Sequence, residues 1–360
     1  MASKPQQVLG YAARDASGHL SPFTFQRRPT GADDVAFNVS YCGICHSDLH
    51  CLKNDWKFSS FPLVPGHEIV GIVKEVGSNV SNFEIGDHVG VGCLVGACGS
   101  CDACELNLDQ YCESIIPTYN GIDVDGSTTR GGYSTIMLAN HRFVFKMPIN
   151  LPLDQAAPLL CAGISVYSPM KHFNMIEKGK KLGVVGLGGL GHMAIKFGKA
   201  FGLEVTVISS SPHKEKEAKE FLSVDHFLLS TNVEEMQKSR KTLDYIIDTI
   251  SAEHAIDPLL NMLKIDGKLV FLGLPPTPLQ LQAFSIIGGR RLIAGSGIGG
   301  VRETQEMLDF CGKHNITSIV EKVPISDVNK AMERLEKGDV KYRFVIDVAN
   351  SLKSENIAPI

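Results

Sequence analysis

The chain is 360 residues long, 44% hydrophobic and 21% charged, with a formal charge of −4. That charge gives no electrostatic reason to expect nucleic acid or an anionic membrane as partner, and no unbroken apolar stretch approaches the ~20 residues that span a bilayer. The length favours two domains, each with chain enough for its own core.

The opening Met1-Ala2-Ser3-Lys4 has no signal-peptide pattern, and cysteine stands at 10 of 360 positions, so the chain reads as a cytoplasmic, enzyme-like protein. Its first part, about 150 residues, is rich in Gly, Pro and short β-branched runs, Val35–Tyr41 and Ile69–Val76 among them. An antiparallel, loop-rich β lobe is predicted. Within it lie Cys42-Gly43-Ile44-Cys45-His46-Ser47-Asp48-Leu49-His50 and, further on, Gly66-His67-Glu68. Cys98, Cys101, Cys104 and Cys112 then form the row CxxCxxCx7C. Four closely spaced thiolates suit a tetrahedral structural zinc, and in a chain of this class that reading outranks disulfides. Leu160-Cys161-Ala162-Gly163 follows at the expected lobe boundary. A catalytic zinc takes three protein ligands and keeps one open position, and Cys45, His67 and Cys161 offer one ligand from each segment.

From Lys181 the texture changes. Leu182–Gly186 is a compact apolar strand, and Leu190–Phe201 has helical spacing. Between them Gly186-Leu187-Gly188-Gly189-Leu190-Gly191 matches GxGxxG where a dinucleotide site needs it, after a strand and opening a helix. Further strands are predicted at Val205–Ile208, Tyr245–Ile247 and Lys268–Leu272, so this region is a βαβ unit with a parallel sheet. Its second strand ends not in a carboxylate but in Ser209-Ser210-Ser211-Pro212-His213-Lys214. Hydroxyls and a lysine suit a 2′-phosphate, which favours NADP(H). The tail predicts helices near Glu303–Lys313 and Val328–Glu336 and a strand at Arg343–Val348 that belongs with the first lobe. The fold class is α/β, a β lobe interrupted by an inserted nucleotide domain.

GHExxGxxxxxGxxV from Gly66, the four-cysteine loop and GLGGLG, in that order, resemble the zinc-containing medium-chain alcohol dehydrogenases. Residues 42–50, 157–163 (APLLCAG), 207–211 (VISSS) and 342–347 (YRFVID) resemble the plant cinnamyl-alcohol dehydrogenase branch, which includes sinapyl, mannitol and 8-hydroxygeraniol dehydrogenase-like members. The resemblance implies a GroES-like catalytic domain over 1–161 and 300–360, with the structural-zinc lobe, and a Rossmann NADP-binding domain over 162–299. It implies two zinc ions per subunit, a homodimer and interconversion of primary alcohols and aldehydes, of cinnamyl or terpenoid type. Cys45, His67 and Cys161 would hold the catalytic zinc, with Glu68 able to approach it and Arg343 pairing with Glu68. Asp48 would orient His67, the alternative being a turn carboxylate that caps the following helix. Ser47 and His50 resemble the family's proton relay, and His46 a position near the cofactor phosphates. The intact relay favours carbonyl chemistry over a reductase of conjugated C=C or iminium groups on the same scaffold. Pro117 and Gly297 stand where lignin-type members carry aromatic residues, which implies a reshaped pocket and room for bulkier aldehydes. Trp56 either lines that pocket or packs. Cys42, Cys51, Cys93 and Cys311 are left as packing residues.

Overall fold

A computed structural model describes residues 5–275 and 277–353. The chain divides into two compact units, one of Met1–Cys161 with Gly299–Ile360 and one of Ala162–Ile298.

The first unit is built on the long strand Asp34–Ile44, which pairs antiparallel with Ile69–Val76, Ile136–Asn140 and Arg343–Asp347. Its sheet has seven strands. Alternation along these strands turns Val35, Phe37, Val39, Ile69, Val73, Phe344 and Ile346 into one core. The C-terminal strand joins this sheet directly, with Phe344 opposite Ile44 and Val345 opposite Gly43. That register brings Arg343 to the end of the central strand, where Cys45 begins. The chain then forms the helix His46–Lys53, with Cys45 as its N-cap. Its first turn is fixed by Asp48, whose side chain accepts from the Cys45 backbone N–H at 2.8 Å.

The second unit holds six parallel strands. Their spatial order is His226–Leu229, Glu204–Ser209, Lys181–Val185, Leu243–Asp248, Leu263–Phe271, Leu292–Gly295. Counted along the chain this is 3-2-1-4-5-6, the doubly wound dinucleotide-binding order. The central strands read as unbroken apolar runs because both faces are covered; Val184, Val185, Ile246, Ile247, Leu269 and Val270 are buried. The helix Ala162–His172 carries Pro169 inside it, which is why it was not legible in sequence. It packs on Gly189–Ala200 through Tyr167 and Phe197, edge to face at 5.4 Å. No helix of the described residues is long and apolar enough to cross a membrane.

At the end of the fourth strand, the buried Asp248 accepts from His254 Nε2 at 2.7 Å, and His254 Nδ1 faces the Ala252 carbonyl at 2.9 Å. With acceptors at both ring nitrogens, the geometry calls for the imidazolium. The bond to Asp248 is the largest reason the His254 pKa lies above its ordinary value. A raised folded value makes the contribution to stability full below the unfolded value of about 6.5, and it is lost as pH rises through the folded value. We expect His254 in NMR titration to have its midpoint above 6.5, and His254→Gln to remove the decline of stability across that window. A midpoint at or below 6.5 would contradict the pairing.

Candidate metal centre and nucleotide site

Cys45, His67, Glu68 and Cys161 are all buried, and their ligand atoms lie within 4.8 Å of one another. Cys161 Sγ is 3.9 Å from Cys45 Sγ and 3.2 Å from His67 Nε2. Cys45, His67 and Cys161 come from the first unit: Cys45 follows the central strand, His67 precedes Ile69–Val76, and Cys161 follows a short 3₁₀ turn over Ala157–Leu160. The other ring nitrogen of His67, Nδ1, is 3.3 Å from Asp48 Oδ1. The Asp48 carboxylate thus caps the helix and also lies beside the histidine ring. It also accepts from Gly66 N–H at 3.0 Å and Tyr133 hydroxyl at 3.3 Å. Tyr119 stacks on the His67 ring at 5.8 Å. Neither tyrosine was singled out in the sequence, because nothing local ties residues 119 and 133 to residue 67.

Protonation in this cluster is contested. Cys161 holds the Cys45 thiol well below its ordinary pKa, while Cys45 in turn pushes Cys161 up. Burial works against the charged form of His67, but the charges of Cys93 and Asp48 outweigh it and raise its pKa. Burial pushes the Glu68 carboxyl up to about 8, against the pull of Arg343. Both Glu68 oxygens are buried and accept no well-directed hydrogen bond, even with Arg343 Nη2 at 2.7 Å from Oε1. The pair exists only because residue 43 is glycine: a Cβ there would stand 1.9 Å from Glu68 Oε2. Two soft sulfurs, an imidazole with its far nitrogen anchored and an under-satisfied carboxylate are the donor set of a zinc site, and the residues fit that ion.

Cys98, Cys101, Cys104 and Cys112 form a second such group. Cys98 Sγ lies 3.5 Å from Cys112 Sγ and 4.0 Å from Cys104 Sγ. The backbone N–H of Ser100 does most to bring the Cys98 thiol down to about 6. No disulfide joins any of these cysteines.

On the helix His46–Lys53, Ser47 and His50 stand one turn apart on one face. His50 Nδ1 lies 2.8 Å from Asp55 Oδ2, a partner that sequence reasoning missed. Trp56 is 37% exposed and stacks between His50 and Phe58, at 5.2 and 5.7 Å, so it is not core packing. His46 is exposed.

In the second unit the turn after the strand Lys181–Val185 has Gly186 at φ +89°, and a Cβ on Gly191 would lie 2.1 Å from the Gly186 carbonyl. A Cβ on Gly188, by contrast, would meet open space, which is the cradle a pyrophosphate needs. Gly189 and Leu190 open the helix, and Leu187 is buried. Lys214 Nζ donates to the Leu187 carbonyl at 2.9 Å, tying the serine loop to the glycine turn. Ser209 is buried and its hydroxyl accepts from the Ser211 N–H at 3.2 Å, so it faces inward. Ser210 is exposed and Ser211 half-buried, and these can face a ligand.

The family profile described as alcohol dehydrogenase GroES-like domain matches residues 31–149, and that described as zinc-binding dehydrogenase matches 189–313. The chain is 60% identical over 351 residues to a probable mannitol dehydrogenase 1 of Stylosanthes humilis, covering 98% of this chain and 99% of the relative. Among solved structures it is similar to the cinnamyl alcohol dehydrogenase SbCAD4 of Sorghum bicolor, with TM-score 0.95, 52% identity and coverage of 97% and 100%. It is also similar to a Helicobacter pylori CAD complexed with NADP(H), with TM-score 0.91, 40% identity and coverage of 96% and 99%.

Asp48→Asn would turn an amide toward groups that are themselves donors. We expect it to cost about 1–3 kcal/mol of stability and, with His67 unanchored, roughly 10–100-fold in metal affinity. Chelator competition measures the second effect, and undiminished affinity would leave Asp48 as a helix cap alone.

Proposed function

The chain belongs to the zinc-containing medium-chain alcohol dehydrogenases, in the plant cinnamyl-alcohol dehydrogenase branch, and we propose that it interconverts primary alcohols and aldehydes with NADP(H). The observation that carries this reading is the buried Cys45–His67–Cys161 cluster backed by Asp48. When bound, zinc at that cluster supplies Lewis-acid polarisation of the substrate oxygen, and NADP(H) supplies or accepts the hydride. We propose two zinc ions per chain, the second at Cys98, Cys101, Cys104 and Cys112, where it stabilises the lobe and takes no part in the reaction.

The protein's own work is placement and proton handling. Asp48 keeps a proton on His67 Nδ1, leaving Nε2 for the metal. Glu68, held by Arg343, is a carboxylate in reserve beside the ligands. Ser47 Oγ is the proposed proton donor to the developing alcohol. His50, with Nδ1 on Asp55, exchanges that proton with solvent, a role an imidazole fills as either donor or acceptor. Pro117, lacking an aromatic wall, and the stacked Trp56 and Phe58 beside His50 favour bulky aromatic or terpenoid aldehydes. Reduction of a conjugated C=C or iminium would need no acid at an alkoxide, and nothing in the site favours it over carbonyl chemistry.

For the cofactor, exposed Ser210, half-buried Ser211 and Lys214 beside the glycine turn support NADP(H) over NAD(H). For assembly, the edge strand Leu292–Gly295 ends the parallel sheet with Phe284, Ile287 and Leu292 exposed at 79, 74 and 41%. An apolar, unpaired edge of this kind is a pairing surface, and we propose a homodimer through it. Cysteines with no disulfide among the described residues, Cys45, Cys98 and Cys161 among them, fit the reducing cytoplasm.

The reaction is tested with purified protein, NADPH and NADH, and a panel of cinnamyl, benzyl and monoterpene aldehydes plus a conjugated iminium. Aldehyde reduction with NADPH is expected to dominate, Ser47→Ala to slow it by roughly 10²–10⁴-fold, and Ser210→Asp to move preference toward NADH by repelling the 2′-phosphate. Iminium turnover exceeding aldehyde turnover would replace the reading. For the dimer, Leu292→Lys with Phe284→Lys is expected to give a monomer in sedimentation, and an unchanged mass would place the interface elsewhere.

A further inference from the structure

In the strand order 3-2-1-4-5-6 the chain leaves the first and fourth strands in opposite directions, and a dinucleotide lies in the crevice outside their carboxyl ends. The glycine turn follows the first strand. Residues 249–253 follow the fourth, and they are built onto that turn. Val185 and Asp248 are in register, and the N–H and hydroxyl of Thr249 both donate to the Val185 carbonyl, at 3.0 and 2.8 Å. A Cβ on Gly186 would lie 2.9 Å from Thr249 Oγ1 and 3.1 Å from Ile250 Cγ1. Beyond Ile250 the loop turns outward, with Ser251, Ala252 and Glu253 exposed. Leu274 N–H donates to Ser251 Oγ at 3.1 Å, and the remaining ties run through Asp248. That fully buried carboxylate accepts from Ile250 N–H at 3.1 Å through Oδ1 and from His254 Nε2 at 2.7 Å through Oδ2. His254 Nδ1 faces the Ala252 carbonyl at 2.9 Å, so one imidazolium holds the outward part of the loop to the end of the strand.

We propose that His254 is a positioning residue for the dinucleotide: its charged ring latches the loop 249–253 beside the glycine turn, and loss of its proton weakens NADP(H) binding. The inference rests on the NADP(H) reading given above. A neutral imidazole has one N–H for two acceptors. The bond to the Asp248 carboxylate is charge-assisted and is the one kept. Nδ1 then turns a lone pair toward the Ala252 carbonyl, and that tie is lost. The ring can exchange its proton because it borders an open cavity of about 570 Å³. Glu253 and Asp257 border the same cavity, and their carboxylates favour the charged ring as Asp248 does. Asp257 Oδ1 is taken by the Gln282 N–H at 3.1 Å, and residues 277–282 on the facing wall bring no ionisable side chain. Linkage sets the direction. A ligand that prefers the latched loop must also hold the His254 proton more tightly, so NADP(H) raises the His254 midpoint and binds more weakly as pH rises through it.

The dissociation constant of NADPH, followed by its own fluorescence, is measured from about pH 6 to about pH 9, across the ordinary histidine value. The 2′-phosphate and the other histidines titrate in every variant, so the difference between proteins is what is read. We expect the unaltered protein to weaken over that span by roughly 5-fold more than His254→Ala, the lower end of coupling between linked sites. At the acid end His254→Ala should bind about as weakly as the unaltered protein does at the alkaline end. A second measurement needs no variant: saturating NADP⁺ should raise the His254 midpoint in NMR titration. The rise should persist at about 1 M salt, where attraction to the cofactor's phosphates across solvent is screened. Equal pH slopes in the two proteins, or a midpoint that NADP⁺ leaves unmoved or moves only at low salt, would remove the latch while the nucleotide site stands. If the unaltered protein binds neither NADPH nor NADH at any pH, the nucleotide reading fails and the inference falls with it.

Discussion

Asp48 has no exposed surface, and both of its oxygens are occupied. Oδ2 takes the Cys45 backbone N–H and the Tyr133 hydroxyl; Oδ1 takes the Gly66 N–H and faces His67 Nδ1. A carboxylate stripped of water costs several kcal/mol unless such donors replace the solvent. Here the replacements are not spare groups. Of the four, one belongs to the proposed ligand Cys45, one to Gly66 just before His67, one to the His67 ring, and one is the Tyr133 hydroxyl. The same contacts that make the buried charge tolerable thus fix the start of the helix, the turn at Gly66 and the tautomer of His67. Ser47 and His50 ride on the helix that Asp48 caps, so the proposed proton path takes its position from the same carboxylate that backs His67.

A second buried charge is handled differently. Glu68 has one partner, Arg343, and both its carboxylate oxygens remain poorly bonded. Such a pair contributes little net stability, because desolvation offsets most of the attraction. Its value lies in chemistry, since a carboxylate without directed bonds is available to a cation. Retaining it needs a backbone with no side chain at Gly43, where the oxygens would otherwise collide. The glycine is demanded by close approach, its φ being unremarkable, and that requirement is invisible in the sequence.

What could be read in the sequence was whatever the chain encodes over short spans. The cysteine row, the glycine turn after Leu182–Val185 and the strand Ile69–Val76 each announce themselves within 15 residues or fewer. The proposed ligands Cys45, His67 and Cys161 each sit in a distinctive short segment. The shell around them does not. Tyr119 and Tyr133 reach His67 and Asp48 from a loop, and Asp55 meets His50 through a turn after the helix. Each depends on tertiary register, which a two-residue or seven-residue periodicity does not carry. Ser209 fails for a related reason. At a strand end inward and outward positions alternate, so one of three consecutive serines must turn into the protein.

The order of these pieces along the chain has a physical consequence. Cys45 and His67 are brought together by the antiparallel pairing of Asp34–Ile44 with Ile69–Val76, a local event. Arg343 reaches Glu68 only after the parallel sheet has been synthesised and the chain has returned to pair Phe344 with Ile44. Closing a loop that long adds little entropy over a shorter one, since the cost rises only with the logarithm of length. It does delay the contact, because non-local pairings form slowly. Until the last strand docks, Glu68 lacks the charge that offsets its burial, and the interior around the ligands stays unfavourable. The polypeptide that supplies the metal ligands is therefore completed by its own C-terminal strand, which is why the β lobe is discontinuous in sequence and continuous in space.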